Sequence, residues 1–212
     1  HPLTSEISFN PDPVVSAAVL NLPVNGVILG ILPGSRGSEV KRLLPLFLSA
    51  FDRLVAEDKD LIGVIPAASD DLYKLIHSMV GSRPIQVVHG RSREVIAASK
   101  AVLVASGTAA LESVLTGRPT VAAYKMNPWT YRLVKSKIRT EFVTIPNFLA
   151  NQALIPELIQ EKASVDSIVN AIHPMLKESP ANQFLTEAQK IYDSLAGDVS
   201  GRAAEVILEQ LS

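Results

Sequence analysis

The sequence predicts an α/β fold in which a parallel sheet is flanked by helices. Short β-branched runs alternate with helical patterns from about residue 26 onward, as βαβ units require. Two of those runs end in Gly- and Ser-containing turns that lead directly into a helical pattern. Beyond Pro146 the pattern becomes mainly helical, and no internal repeat or low-complexity tract interrupts it. The expected division is a linker or N-terminal segment at 1–25, a Rossmann-like domain at 26–178, and a helical C-terminal extension at 179–212.

Gly26–Leu32 is the first expected strand, a continuous aliphatic run suited to a sheet covered on both faces. A helix at Glu39–Ala56 follows, and Pro45 inside it predicts a start or a bend there, because proline lacks the N–H and crowds the preceding turn. Leu61–Pro66 and Ile85–His89 read as strands, separated by a helix at Asp70–Val80 and followed by one at Arg93–Ser99. Ala101–Ala105 is a strand that runs through Ser106-Gly107-Thr108 into a helix at Ala109–Leu115. Thr120–Tyr124 and Phe142–Ile145 complete the strands, with a helix at Pro128–Ser136 between them. Helices at Ser164–Lys177, Ala181–Leu195 and Gly201–Leu211 close the chain.

With 212 residues, 47% hydrophobic and 19% charged, the chain can bury one sizeable core. A formal net charge of -1 argues against nucleic-acid binding through bulk charge. Cys is absent, which removes disulfides, thiolate nucleophiles and cysteine metal sites. The His residues at 1, 77, 89 and 173 are dispersed and have no metal-ligand spacing. No apolar run approaches the roughly 20 residues that span a bilayer. The start, His1-Pro2-Leu3-Thr4-Ser5, has no charged region followed by an apolar one, so neither a secreted precursor nor a spanning protein is expected. Opening on His1 rather than Met fits a processed product or a piece of something longer.

Ligands of open parallel sheets bind outside the carboxyl ends of the strands, so the loops there are where chemistry is expected. Leu32-Pro33-Gly34-Ser35-Arg36-Gly37-Ser38-Glu39 follows the first strand. Its glycines permit a tight turn and close backbone approach, and Arg36 can pair with phosphate. An ordinary strand-to-helix turn, with Ser38 as N-cap and Arg36 in solvent, explains the same residues. Ser106, Gly107 and Thr108 sit where free N–H groups and a helix dipole can hold an anion such as a diphosphate. About one turn on, Glu112 could face the same crevice and accept hydrogen bonds from ribose hydroxyls; the alternative is a solvated helix acid. His89-Gly90-Arg91-Ser92 offers a turn whose backbone amides could read a nucleobase edge, although a lone His is also an ordinary turn residue.

A different signal occupies Tyr124 to Arg139, where the only Trp and five basic residues occur before the next acid, Glu141. Met126, Trp129, Tyr131, Arg132, Lys135 and Lys137 mix aromatic, aliphatic and basic character as an anionic membrane boundary requires. A core-packed helix with a basic solvent face accounts for them equally. Nucleic acid is the weaker option, because neither composition nor motif supports it.

LPGSRGSEV at 32–40, ASGTAALE at 105–112, YKMNPWTYRLVKSKIRT at 124–140 and IPNFLANQALIPELIQE at 145–161, in this order, resemble the lipid-A-disaccharide synthase family of two-domain GT-B glycosyltransferases. The resemblance covers nearly the whole chain and implies the C-terminal, sugar-nucleotide-binding half of such an enzyme. It implies transfer of 2,3-diacylglucosamine from its UDP derivative to 2,3-diacylglucosamine 1-phosphate, with inversion and with no metal or other cofactor. Gly34, Ser35, Arg36, His89, Gly90, Ser106, Gly107, Thr108, Glu112 and Asn147 are then the expected UDP-sugar-binding set, with Arg36 and Asn147 expected to serve catalysis. In it Arg36 corresponds to the family's loop arginine near the diphosphate, Ser106–Thr108 to its diphosphate turn, Glu112 to the ribose-binding acid and Asn147 to the asparagine of its PNxLA motif. Asn151-Gln152 departs from the Gly-Arg often found in relatives, leaving that pair without an assigned role.

The same resemblance implies that the chain begins at the link into the second half, without the N-terminal domain that carries the general-base candidate and part of the acceptor surface. Donor binding with little turnover by this chain alone is the expectation, and the helices at 179–212 are expected to pack on that missing domain, leaving them loosely docked or swapped here. Its expected partners are the UDP-2,3-diacylglucosamine donor, the lipid acceptor, the missing N-terminal domain and an anionic membrane surface, with a homodimer allowed. The expected location is cytoplasmic, peripheral on the cytoplasmic face of a bacterial inner membrane. Two other readings compete: a UDP-N-acetylglucosamine 2-epimerase-like half, which should show catalytic acids and His near the nucleotide, and a non-catalytic nucleotide-binding or membrane-docking module. An NAD-binding domain is disfavoured, since no G-x-G-x-x-G follows the first strand.

Overall fold

The computed structural model describes residues 6–23, 26–105, 107–126 and 142–196. Six parallel strands form one sheet in the order β3-β2-β1-β4-β5-β6. They are β1 Val27–Leu32, β2 Leu61–Ala67, β3 Ile85–His89, β4 Ala101–Val104, β5 Thr120–Tyr124 and β6 Glu157–Ile159. The helices are α1 Pro13–Val19, α2 Gly37–Glu57, α3 Asp70–Val80, α4 Ser92–Ala98, α5 Thr108–Leu115, α6 Ile145–Ala150, α7 Val165–Lys177 and α8 Asn182–Ala196.

Alternation along the central strands divides the core into two layers. Leu29, Ile31, Leu103 and Val121 face α2, α3 and α7, where Leu43, Phe47, Phe51, Ile76 and Ile172 close over them. Ile28, Val102, Val104 and Ala122 face the other way, onto Val95, Ile96, Leu111 and Val114 of α4 and α5. Ala188 and Ile191 of α8 join this second layer, so the described part of the C-terminal extension packs on α5 and α6.

Most expected elements are present with ends moved by one or two residues, and the differences have physical causes. Pro45 neither starts nor breaks α2, which runs through it. Lys41, whose carbonyl loses its helical partner, and Pro45 both lie on the exposed face, where water can take the lost bond. The expected strand at Phe142–Ile145 is instead the lead into α6, with Pro at the first positions of the helix. Its β-branched residues imitate a strand, but Glu157 accepts from the N–H groups of Val143 and Thr144, at 3.0 and 2.9 Å, and fixes this lead-in as a cap. The sixth strand is Glu157–Ile159, too short for a periodic signal, and α1 lies in a segment expected to be linker. The helices expected at 128–136 and 201–211 lie outside the described residues.

The sheet order positions the site. From β1 the chain builds outward through β2 and β3, then returns to place β4 on the other side of β1. The loops after β1 and β4 therefore diverge to opposite faces and leave a crevice at the carboxyl edge between them.

Candidate functional site

The turn after β1 is built around Gly34. Its φ is +120°, and a Cβ there would lie 2.5 Å from Glu39 Oε2 and 2.8 Å from Glu39 Cβ, so conformation and space both demand glycine. Arg36, not Ser38, is the N-cap of α2, and it makes no side-chain cap bond. Glu39 serves instead: its Oε2 accepts from the Ser35 N–H at 3.3 Å and its Oε1 from Arg36 Nη1 at 3.4 Å. The Arg36 side chain is 79% exposed against 23% for Glu39, which leaves the guanidinium at the mouth of the crevice in a long, solvated ion pair. Such a pair contributes little and yields readily to a stronger anion.

Gly107, at φ +138°, is the N-cap of α5 and has no side chain with which to cap it, and no acid lies in the first turn of the helix. The positive end of α5 is therefore directed, uncompensated, at the crevice opposite Arg36. One turn further, Glu112 is half-buried. Burial pushes its carboxyl above the ordinary 4.5, while Arg93 pulls it down and Glu6 pushes it up. Ser106, expected in this turn, lies outside the described residues.

The third loop contributes differently from expectation. His89 is turned away from the crevice toward α3: its ring stacks on Tyr73 with centroids 4.0 Å apart, and its Nδ1 lies 3.3 Å from Asp70 Oδ1. Gly90 lines the crevice with φ +58°, but its N–H is given to the Ala67 carbonyl at 2.7 Å. Among the backbone amides expected to read a base edge, that one is already committed.

Asn147 is buried in α6, away from the crevice lining. Its Oδ1 accepts from the Ile155 N–H at 2.8 Å, and its Nδ2 donates to the Ile155 carbonyl and to Glu157 Oε1, both at 2.9 Å. The carboxamide thus ties α6 to the start of β6. Met126 exchanges backbone hydrogen bonds with the Gln160 carboxamide. Trp129, Tyr131, Arg132, Lys135 and Lys137 lie outside the described residues. No described helix is long and apolar enough to cross a membrane.

Together, Gly34, Ser35, Arg36, Gly90, Gly107, Thr108 and Glu112 line one open cleft of ≈ 490 Å³. Sequence reasoning missed the Pro66–Ala68 wall at the end of β2, Ser92, and the bracing role of Glu39. For Glu39 a signal existed, since an acid at the third helical position is a capping signature. The cleft combines an anion-attracting end, formed by the Gly34–Arg36 turn and the α5 terminus, with a hydroxyl-accepting end at Glu112. That polarity suits an elongated ligand carrying phosphate next to a polyol. Among the described residues, no three His, Asp or Glu converge to hold a metal ion.

A family model described as lipid-A-disaccharide synthetase matches residues 1–210. The lipid-A-disaccharide synthase of Azotobacter vinelandii is 40% identical over 214 residues, which is 99% of this chain and 56% of that protein. That of Pseudomonas aeruginosa LESB58 is 38% identical over 212 residues, again 99% of this chain and 56% of the relative. The chain therefore spans about half the length of the curated relatives it matches. In fold it is similar to the C-terminal domain of a group 1 glycosyltransferase from Francisella tularensis, with TM-score 0.58 and 14% identity over 92% of this chain and 96% of that one. WaaG, a glycosyltransferase of lipopolysaccharide biosynthesis, gives TM-score 0.54 and 16% identity over 91% of this chain and 50% of its own. At these identities the structural likeness establishes the fold alone, that of a Rossmann-like GT-B half.

Proposed function

The chain belongs to the lipid-A-disaccharide synthetase family, and from that membership we propose that its cleft binds the UDP-activated donor of an inverting hexosyl transfer in lipid A biosynthesis. One observation carries the reading: the cleft joins the Gly34–Arg36 turn and the uncapped α5 terminus, which suit a diphosphate, to Glu112, which suits a ribose. The donor is UDP-2,3-diacylglucosamine and the acceptor 2,3-diacylglucosamine 1-phosphate, both taken from the family's chemistry.

In this reading an acceptor hydroxyl oxygen attacks the anomeric carbon from the side opposite UDP. The bond from that carbon to the phosphate oxygen breaks, and its electron pair departs with UDP. Negative charge grows on the diphosphate, where the fixed α5 N–H groups stabilise it, joined by Arg36 once its guanidinium has turned from Glu39. Arg36 can leave Glu39 for the diphosphate because their ion pair is long and solvated. The hydroxyl proton passes to a base that we assign to the part of the family's proteins outside the half that this chain matches, so this chain alone is expected to bind donor and turn over little. The acyl chains place the work at a cytoplasmic membrane face. The mixed aromatic and basic stretch from Tyr124 to Arg139 and the exposed Phe148 and Leu149 of α6 support peripheral attachment there.

Calorimetric titration with UDP tests the reading. Saturable binding is expected, weakened about 10- to 100-fold by Arg36→Ala, the loss typical of a charge-assisted contact. A folded chain that binds UDP equally well with and without Arg36 and Glu112 would overturn it.

A further inference from the structure

Glu112 has a second side. Besides the cleft it lines an adjoining recess with Glu6, Arg91, Arg93 and Glu94, and Ser92 lies on the border between the two. Arg93 Nη2 is 2.6 Å from Glu6 Oε2 across that recess. Glu6 is held in place by its neighbour, since Ile7 is buried and its carbonyl accepts from the Tyr192 hydroxyl at 2.8 Å. The Glu112 carboxylate has no hydrogen-bond or ion-pair partner among the described residues.

We propose that Arg93 is a positioning residue for the nucleotide site: clamped by Glu6, its guanidinium sets the positive charge against which the Glu112 carboxylate is held ready to accept a ligand's hydroxyls. This rests on the nucleotide-binding reading above. The geometry explains why Arg93 does not simply neutralise Glu112 by pairing with it. Glu6 takes the direct contact, so both oxygens of Glu112 remain open to ligand while the cation stays close enough to offset part of the cost of burial. Among the described residues, the other charges lining these cavities with Glu112 are Arg91 and Glu94 in the recess and Arg36 and Glu39 in the cleft. β4, β5 and α6 contribute no charged side chain, and on α8 Glu187 pairs with Lys190 while Asp193 accepts from Gln189, all outside both cavities.

The test is UDP affinity against pH for the intact chain and for Arg93→Gln, Arg93→Lys, Glu6→Gln and Glu112→Gln, with thermal melts confirming folding. Phosphate titration of UDP is common to every protein and cancels in the comparison. Removing the cation should raise the pH at which affinity is lost by about one unit, so that R93Q binds up to about tenfold more weakly on the acid limb of the profile and about equally near pH 8. R93K should restore the profile. E6Q should shift it the opposite way, because it removes a neighbouring anion and frees Arg93 for Glu112. If R93Q does not fold, R93K and E6Q carry the test. Profiles for R93Q, or in its place E6Q, that superimpose on the parent while E112Q weakens binding would overturn this inference alone. A parent chain that does not bind UDP, or an E112Q that binds as well as the parent, would overturn both this inference and the nucleotide-site reading.

Discussion

At Gly34, space and backbone conformation act in the same direction. Alanine there would meet Glu39 and sit in a left-handed region, so Gly34→Ala is expected to lose about 1–3 kcal/mol of stability and to weaken UDP binding, as a melt and a titration of one preparation would show. Glu112 carries the opposite trade. Burial holds its folded carboxyl above the ordinary 4.5, so the stability gained from the protonated form is complete below that value and lost as pH rises through the folded one. At neutral pH the charged group therefore costs stability, and Glu112→Gln should melt higher than the parent while binding UDP more weakly. A variant that melts lower would contradict this account. Gly34, Arg36 and Glu112 were legible because turn composition and helical spacing fix where such residues fall. The orientation of His89 was not, since nothing local announces that its ring will stack on Tyr73 in another element.

The elements bearing these residues differ in how much tertiary context they need. Helix α5 follows β4 so closely that strand, turn and helix were readable together. Helix α6 was not readable, because its start depends on a carboxylate from Glu157, more than ten residues away, and a β-branched run without that cap looks like a strand. The Asn147 carboxamide completes the same connection. Asn147→Ala should leave buried groups of Ile155 unpaired and cost about 2–4 kcal/mol, visible as a lowered denaturation midpoint. Helix α2 allows the converse prediction. Pro45 interrupts its ladder on an exposed turn, so Pro45→Ala should stabilise the protein by about 2 kcal/mol, the helical penalty of proline less the unfolded-state freedom that alanine restores. An unchanged midpoint would show that the local helix is already strained into accepting proline.

For the molecule as a whole, the crossover from β3 back to β4 determines that the Arg36 turn and the α5 terminus face one crevice. Alternating strands and helices foretold a parallel sheet, but not the strand order, which depends on which faces find mutual cover. The N-terminal segment was likewise illegible as structure, because its anchors come from distant parts of the chain. The buried Arg118 donates to the Pro11 carbonyl, and Phe9 meets Tyr192 edge-on with ring centroids 5.8 Å apart. Arg118→Ala is expected to speed hydrogen exchange across residues 6–22 well before the sheet is affected. Uniform acceleration across the sheet would instead mark Arg118 as a global core residue. In the proposed reading, one cleft at the sheet's switch point receives a nucleoside diphosphate, phosphate toward Arg36 and ribose toward Glu112. Mapping backbone amide shifts by NMR while UDP is titrated into the chain tests it most directly. Saturable shifts concentrated at Ser35, Arg36, Gly107, Thr108 and Glu112 are expected; shifts centred elsewhere, for example in the separate pocket formed by Pro119, Leu154 and Phe184, or none in a folded protein, would rule the reading out.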